Sequence, residues 1–406
     1  MPELKLLLLQ MVVVLAAARL MATVFKWIRQ PAVLGEMAAG ILLGPSLLGR
    51  ISPAAMSTLF PATGLTPLNA LSQVGLVLFM FLIGLEVQPS LLRSAAKSAF
   101  FASQASVAAP FLLGGALAWA VYPQLGGGVP QLPFVLFLGA AMSITAFPVL
   151  ARILADRGLM QTRMGIVAIT CAAFDDVTAW CLLAIVTVIA RPESNGSPLL
   201  CRFAGLIGYS LTMLFLVRPV LRRLLPASGK PGRGQFSVVM ILLLLSAWAT
   251  EELAVHALFG AFLAGLVMPK GGTVEEDLRE RIESVTLTLL LPLFFAYTGL
   301  RTSVGLLNST RLWMLCGLIV MVAVGSKLLV SALVVHAGGL SWRESLGIGI
   351  LVNTRGLVEM VILNVGLDLH ILSPTLFSMM VIMALATTLM AQPMLEWVIS
   401  PRIAEQ

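Results

Sequence analysis

Two carboxylates stand side by side, Asp175 and Asp176, in the run AFDDVTAW, with apolar sequence on either side. One ionised side chain at membrane depth costs at least about 2.5–3.5 kcal/mol on insertion scales. A second of the same sign beside it adds to the problem, so the pair reads as functional. Neighbouring carboxylates that interact strongly titrate as a coupled set. A deprotonated carboxylate binds a monovalent cation and a protonated one does not, so a single site serves both ions in turn. Adjacent helical residues project about 100° apart, which gives the two aspartates different roles. The pair Asp175 and Asp176 is the candidate ligand for a transported Na+ or K+.

Other polar residues lie at comparable depth. Lys327 sits in the middle of GSKLLVSALV, where an ammonium needs a partner, and the aspartate pair is the obvious supply. Ser143, Thr145 and Pro148 interrupt the oily segment SITAFPVLARIL, and Asn353, Thr354, Arg355, Gly356 and Glu359 interrupt NTRGLVEMVILNVG. Both stretches read as broken helices, whose freed carbonyls and half-helix ends are ready ligands for ions. Arg355 and Glu359 are four apart and share a helical face, so an internal ion pair is expected, with direct cation binding by Glu359 secondary. Glu36 and Glu86 fall near helix ends, as interfacial or funnel-lining groups. The cysteines Cys171, Cys181, Cys201 and Cys316 have no CxxC spacing, and the three histidines are scattered. No resident metal or other cofactor is expected.

The elements that must position these residues are membrane helices. Of 406 residues, 59% are hydrophobic and 11% charged, with a mean hydropathy of +0.98. A soluble domain carries about 25% charged residues. Thirteen apolar segments lie near 4–24, 31–49, 67–86, 96–122, 132–154, 164–190, 200–225, 236–255, 256–269, 283–301, 311–336, 343–366 and 374–400. The border between the eighth and ninth, around Glu251, Glu252 and His256, is the least distinct. With the N-terminus outside, seventeen Lys and Arg residues collect on one side and six on the other. The asymmetry orients the chain with its C-terminus in the cytoplasm. The net charge of +7 therefore marks cytoplasmic loops, not a nucleic-acid surface. The expectation is an all-α polytopic protein with one transmembrane domain over 1–400. Its first part, about 4–225, carries the Asp-Asp helix. Its second, about 236–400, carries Lys327 and the second broken helix, and 401–406 form a short cytoplasmic tail. No nucleotide-binding domain is expected within the chain. Gly-rich patterns such as GILLG support close helix packing.

GEMAAGILLGPSLLG, FLIGLE, SITAFPVLARIL, AFDDVTAW, GSKLLVSAL and NTRGLVEMVILNVG, in this order, resemble the monovalent cation:proton antiporter-2 family across nearly the whole chain. The resemblance implies an inverted-repeat antiporter fold with thirteen helices, two broken helices that cross, a core bundle and a dimerisation bundle. It also implies elevator-like movement, a homodimer and a multi-pass place in a cell membrane, such as the bacterial inner membrane. The family's ion-binding aspartate matches Asp176. In its electrogenic members the first aspartate pairs with a membrane lysine, matching Asp175 and Lys327. Thr145 matches a residue lining that site, and Arg355 and Glu359 match the family's Arg-Gly-x-x-Glu pattern. Relatives gated by glutathione commonly carry Gln-Asp in place of Asp-Asp. The twelfth segment also resembles plant and fungal exchangers associated with potassium, which leaves the cation open.

The expected function is exchange of Na+ or K+ for protons. A sodium-coupled organic-solute symporter is the main alternative. An intramembrane aspartyl protease is a third, but it needs aspartates facing each other from separate helices across a water, which adjacent residues on one helix do not supply.

Overall fold

The computed structural model describes residues 3–61, 64–86, 97–160, 162–190, 199–225, 232–253, 256–270 and 272–398. The tail expected at 401–406 and residues 226–231, between the seventh and eighth apolar segments, lie outside them. Every regular element among the described residues is helical. In chain order the α-helices are α1 (Glu3–Trp27), α2 (Ala32–Leu43), α3 (Leu48–Ile51), α4 (Pro53–Leu59), α5 (Leu65–Glu86), α6 (Lys97–Leu125) and α7 (Gln131–Ser143). Then come α8 (Phe147–Asp156), α9 (Arg163–Ala190), α10 (Leu199–Thr212), α11 (Arg218–Leu224), α12 (Arg233–Glu252), α13 (Ala257–Leu266) and α14 (Thr273–Val285). The last are α15 (Leu291–Arg301), α16 (Thr310–Val324), α17 (Val330–Ala337), α18 (Trp342–Val352), α19 (Leu357–Asp368) and α20 (Pro374–Val398). Single π-helical turns join α10 to α11, α14 to α15 and α16 to α17; the last spans Gly325–Leu329 and contains Lys327.

Among the described residues ten helical stretches are long and apolar enough to cross a membrane, and Gln131–Ser143 and Ala257–Leu266 are shorter apolar helices. Large apolar side chains such as Phe215, Leu216, Trp248, Met314 and Met321 lie exposed on their outer faces. An apolar exterior on this scale suits hydrocarbon, not water. The polar residues turn inward, because lipid offers no hydrogen bonds. The indistinct border at Glu251 and Glu252 resolves into the end of α12. His256 then caps α13, its Nδ1 accepting from the Leu258 amide at 3.4 Å.

The chain forms two compact units, and each draws on both parts of the sequence. One comprises Met1–Ala62, Leu91–Leu183 and Phe295–Gln406, and it holds every residue singled out for ion chemistry. Here GILLG does pack closely: a Cβ on Gly40 would fall 2.4 Å from the Ala296 carbonyl oxygen. α18 begins on a capping box, in which Ser341 Oγ accepts from Glu344 N at 3.3 Å and Glu344 Oε2 from Ser341 N at 3.0 Å.

The other unit comprises Thr63–Ser90 and Ala184–Phe294. Its helices α5 and α13 cross backbone to backbone. A Cβ on Gly84 would lie 2.1 Å from Phe262 O, and one on Gly265 would lie 2.1 Å from Phe81 O. Lys270 follows α13 and ties the C-terminal ends of both helices. Its Nζ donates to Gly84 O at 2.9 Å, Gly265 O at 3.3 Å and Leu85 O. A cation is favourable there because unpaired carbonyls leave helix C-termini partially negative.

Burial pulls the Lys270 ammonium from its ordinary 10.5 down to about 8; Arg218 acts in the same direction, and Glu275 and Glu86 oppose it. Between these two values the unfolded chain holds the proton that the folded chain has released, so stability rises with pH across that window. Thermal unfolding in detergent is expected to show the wild type gaining on Lys270→Gln from pH 8 towards 10.5. Parallel pH profiles would exclude Lys270 as the titrating group.

Candidate functional site

α7 stops at Ser143 and α8 starts at Phe147, while α18 stops at Val352 and α19 starts at Leu357. The chain leaves helical geometry at 144–146 and 353–356, while Ser143 belongs to α7 and Glu359 to α19. Pro148 is the second residue of α8, where its missing N–H is no loss. The two interruptions bond to each other: Ala146 N donates to Thr354 O at 3.0 Å, and Thr145 Oγ1 reaches Val352 O at 3.0 Å.

A helix ending in a buried place leaves its last four carbonyls without partners. At the end of α7 all four are met by side chains. Ser143 Oγ donates to Ala140 O at 2.8 Å, Arg355 Nη1 to Ala141 O at 3.0 Å, Arg355 Nη2 to Met142 O, and Lys327 Nζ to Ser143 O. Two basic groups thus cap one negative helix terminus. The π-helical turn around Lys327 widens its helix where the side chain enters; such turns recur at functional sites.

Each basic group is balanced by a carboxylate. Lys327 Nζ lies 3.6 Å from Asp175 Oδ2, with both side chains fully buried. Arg355 Nη1 lies 2.7 Å from Glu359 Oε2, as the four-residue spacing implied. Asp175 also accepts three hydroxyl hydrogen bonds. Ser103 Oγ donates to Oδ1 at 2.6 Å, and Ser106 Oγ and Thr145 Oγ1 to Oδ2 at 2.8 and 2.6 Å. Thr145 has one proton for two acceptors, Asp175 and the Val352 carbonyl, and so bridges α9 to the end of α18. Lys327 also lies within electrostatic reach of Arg355 and Glu359, which joins the two ion pairs into one buried network.

Asp176 follows on the adjacent face of α9 and is 2% exposed. The Ser143 hydroxyl turns back onto its own helix, and its carbonyl, not its hydroxyl, meets Lys327. The Thr354 hydroxyl donates to Leu351 O at 2.7 Å. Glu359 Oε1 and Asn353 Oδ1 are buried oxygens with no hydrogen-bond partner among the described residues. Both are acceptors of the hard, oxygen type that alkali cations prefer. Among the described residues no group of three His, Cys, Asp or Glu side chains is arranged to hold a metal ion.

Three contributors were not singled out from the sequence. Ser103 and Ser106 lie three apart in FFASQASVAAP on α6, a spacing that puts both hydroxyls on one face of an apolar helix. Thr388 of α20 accepts from Arg355 N at 2.9 Å and donates to Arg355 O, holding the backbone of the second interruption.

A profile of the transmembrane sodium/hydrogen exchanger family matches residues 12–399. The Na+/H+ antiporter NhaS4 of Synechocystis is 42% identical over 396 residues, covering 96% of this chain and 96% of that protein. The K+/H+ antiporter 1 of Saccharomyces cerevisiae is 34% identical over 97% of this chain, which spans only 46% of the yeast protein. The structure of the sodium proton antiporter MjNhaP1 from Methanocaldococcus jannaschii superposes with a TM-score of 0.68 over 100% of this chain and 99% of that one. At 15% identity this likeness speaks for the fold.

Removing one partner of a buried ion pair leaves an uncompensated charge, at a cost of about 3–5 kcal/mol. Lys327→Met alone should lower stability by that order, and adding Asp175→Asn should restore more than half of it. Equilibrium or thermal unfolding of the two variants measures this; a double variant no more stable than the single one would show that Lys327 is not balancing Asp175.

Proposed function

The chain belongs to the transmembrane sodium/hydrogen exchanger family, and on that footing we propose that it exchanges Na+ or K+ for protons across a cell membrane, with Asp176 as the exchange site. The observation that carries this reading is the buried Asp175–Lys327 pair, one residue from Asp176 and set where two helix interruptions meet. With all five ionised, Asp175, Asp176, Glu359, Lys327 and Arg355 bear one net negative charge. One alkali cation or one proton brings that set to neutrality, and the two compete for the same charge. The oxygens of Thr145, Asn353 and Glu359 are available to line the ion's path.

Lys327 gives the exchange its voltage dependence. A cation that draws on Asp175 weakens the lysine's counter-charge, so Lys327 can release a proton as the cation arrives. Two protons then move against one cation, and the net charge responds to membrane potential by about 2.3 kcal/mol per 100 mV.

In this reading the ten long helices, the short helix α13 and the interrupted pairs α7–α8 and α18–α19 make thirteen crossings. They are arranged as inverted repeats with the interruptions as crossing helices at mid-membrane. The N-terminus lies outside and the C-terminus in the cytoplasm, and two copies associate as a homodimer. Alternating access comes from elevator-like movement of a core bundle that carries the site. Support comes from the loop-charge asymmetry, from the paired interruptions and from the likeness in fold to a sodium proton antiporter.

Proteoliposomes with an imposed pH gradient, titrated with sodium, potassium and lithium chlorides, test the exchange and identify the cation. Asp176→Asn is expected to abolish cation-stimulated proton flux, and unchanged flux would remove Asp176 from the role. In the same vesicles Lys327→Gln should flatten the response to an imposed voltage. An undiminished response would mean that the lysine carries no transported charge.

A further inference from the structure

Away from the buried network, a cavity of about 370 Å³ opens at the turn between α1 and α2, lined by Lys26, Arg29, Gln30, Arg157 and Gln392. Lys26 and Arg29 are exposed at the end of α1, Arg157 follows α8, and Gln392 comes from α20. Two sequence-distant segments therefore bring three cations round one concave, polar space, and a third adds the Gln392 amide.

Two carboxylates temper them. Arg157 pairs with Glu396 and donates to Gln392 Oε1 at 3.4 Å, and Arg29 is also within electrostatic reach of Glu396. Glu36 lies within reach of Lys26 and Arg19. Counting Lys26, Arg29, Arg157 and Arg19 against Glu396 and Glu36, four minus two, leaves two positive charges in excess. A path for Na+ or K+ would not be lined this way, so the cavity suits an anion.

The ordinary explanation of basic residues at helix ends is the loop-charge rule, with each side chain snorkelling to water by itself. It accounts for the charges but not for their convergence. Nor does it account for Arg29, held at φ 57°, a left-handed conformation uncommon outside glycine. Gln30 is fixed by its Nε2, which donates to Leu389 O at 3.3 Å, while its buried Oε1 has no partner among the described residues. The site thus offers positive charge for an anion on a wall fixed by the Gln30 contact to α20.

Guanidinium forks match phosphate oxygens in geometry as well as charge. Trp27 and Ile28, 80% and 58% exposed, adjoin the cavity at the end of a membrane-length helix, where a bilayer surface would lie. We propose that this cavity binds the phosphate of an anionic lipid headgroup, with Lys26, Arg29 and Arg157 holding the phosphate. A soluble phosphate compound carries the same recognised group and is the other source.

The test uses the full chain in detergent and native mass spectrometry, with phosphatidylglycerol or phosphatidylcholine added. The wild type is expected to retain phosphatidylglycerol preferentially. Removing two surface cations in Lys26→Gln/Arg29→Gln should cut that retention by roughly tenfold or more. Arg311→Gln, an exposed cation elsewhere, should leave it intact. Inorganic pyrophosphate in a parallel titration separates the sources. If it displaces the lipid, the phosphate alone is recognised; if it does not, the site needs the whole headgroup at the membrane, and both results uphold the assignment. Equal retention of the two lipids by the wild type overturns it. So does undiminished phosphatidylglycerol on the double variant, or a matching loss in Arg311→Gln.

Discussion

A helix that ends in the middle of a membrane protein must hand its last carbonyls to something other than water. At the end of α7 the recipients are Arg355 and Lys327, and most of the site follows from that choice. Hydrocarbon supplies no hydrogen bonds, so an interruption is tolerated only where protein groups complete it. Completing it with two basic side chains brings two positive charges into a buried place. Those charges in turn require carboxylates, and Asp175 and Glu359 meet the requirement. The interruption, the caps and the buried acids are one arrangement, because none of them is tolerable at that depth without the others.

The same arrangement ties together segments that lie far apart in the chain. Asp175 is held by three hydroxyls and an ammonium contributed by three separate segments, and one of these hydroxyls, Thr145, also reaches the Val352 carbonyl at the end of α18. The Thr145 hydroxyl thus links the Asp175 carboxylate to both breaks. Thr388 steadies the second break from both sides of one residue, which keeps Arg355 in register with the end of α7. In the other compact unit the dominant theme is different. There the backbones of α5 and α13 meet through Gly84 and Gly265, and Lys270 ties their ends. Close backbone contact of this kind requires glycine at both crossings.

Much of this was legible in the chain itself, for physical reasons that apply residue by residue. The composition demands a membrane, and the Asp175–Asp176 pair and Lys327 stand out because hydrocarbon penalises them. Pro148 and the Asn353–Gly356 run mark the two interruptions. Arg355 and Glu359 meet because helical pitch sets residues four apart on one face, a local rule that needs no tertiary information. The small residues of GILLG likewise announce a close backbone approach.

What the chain did not determine by itself is which distant groups answer each local demand. No periodicity links Ser103 and Ser106 to Asp175, about seventy residues on. Nothing local says that the carbonyls of Ala141 to Ser143 are capped by side chains some two hundred residues away. The sequence could specify that charges and broken helices had to be satisfied, because that cost is set by the residue and its solvent. Only the tertiary structure could choose the partners, since a contact between remote segments depends on how whole helices pack and not on spacing along the chain.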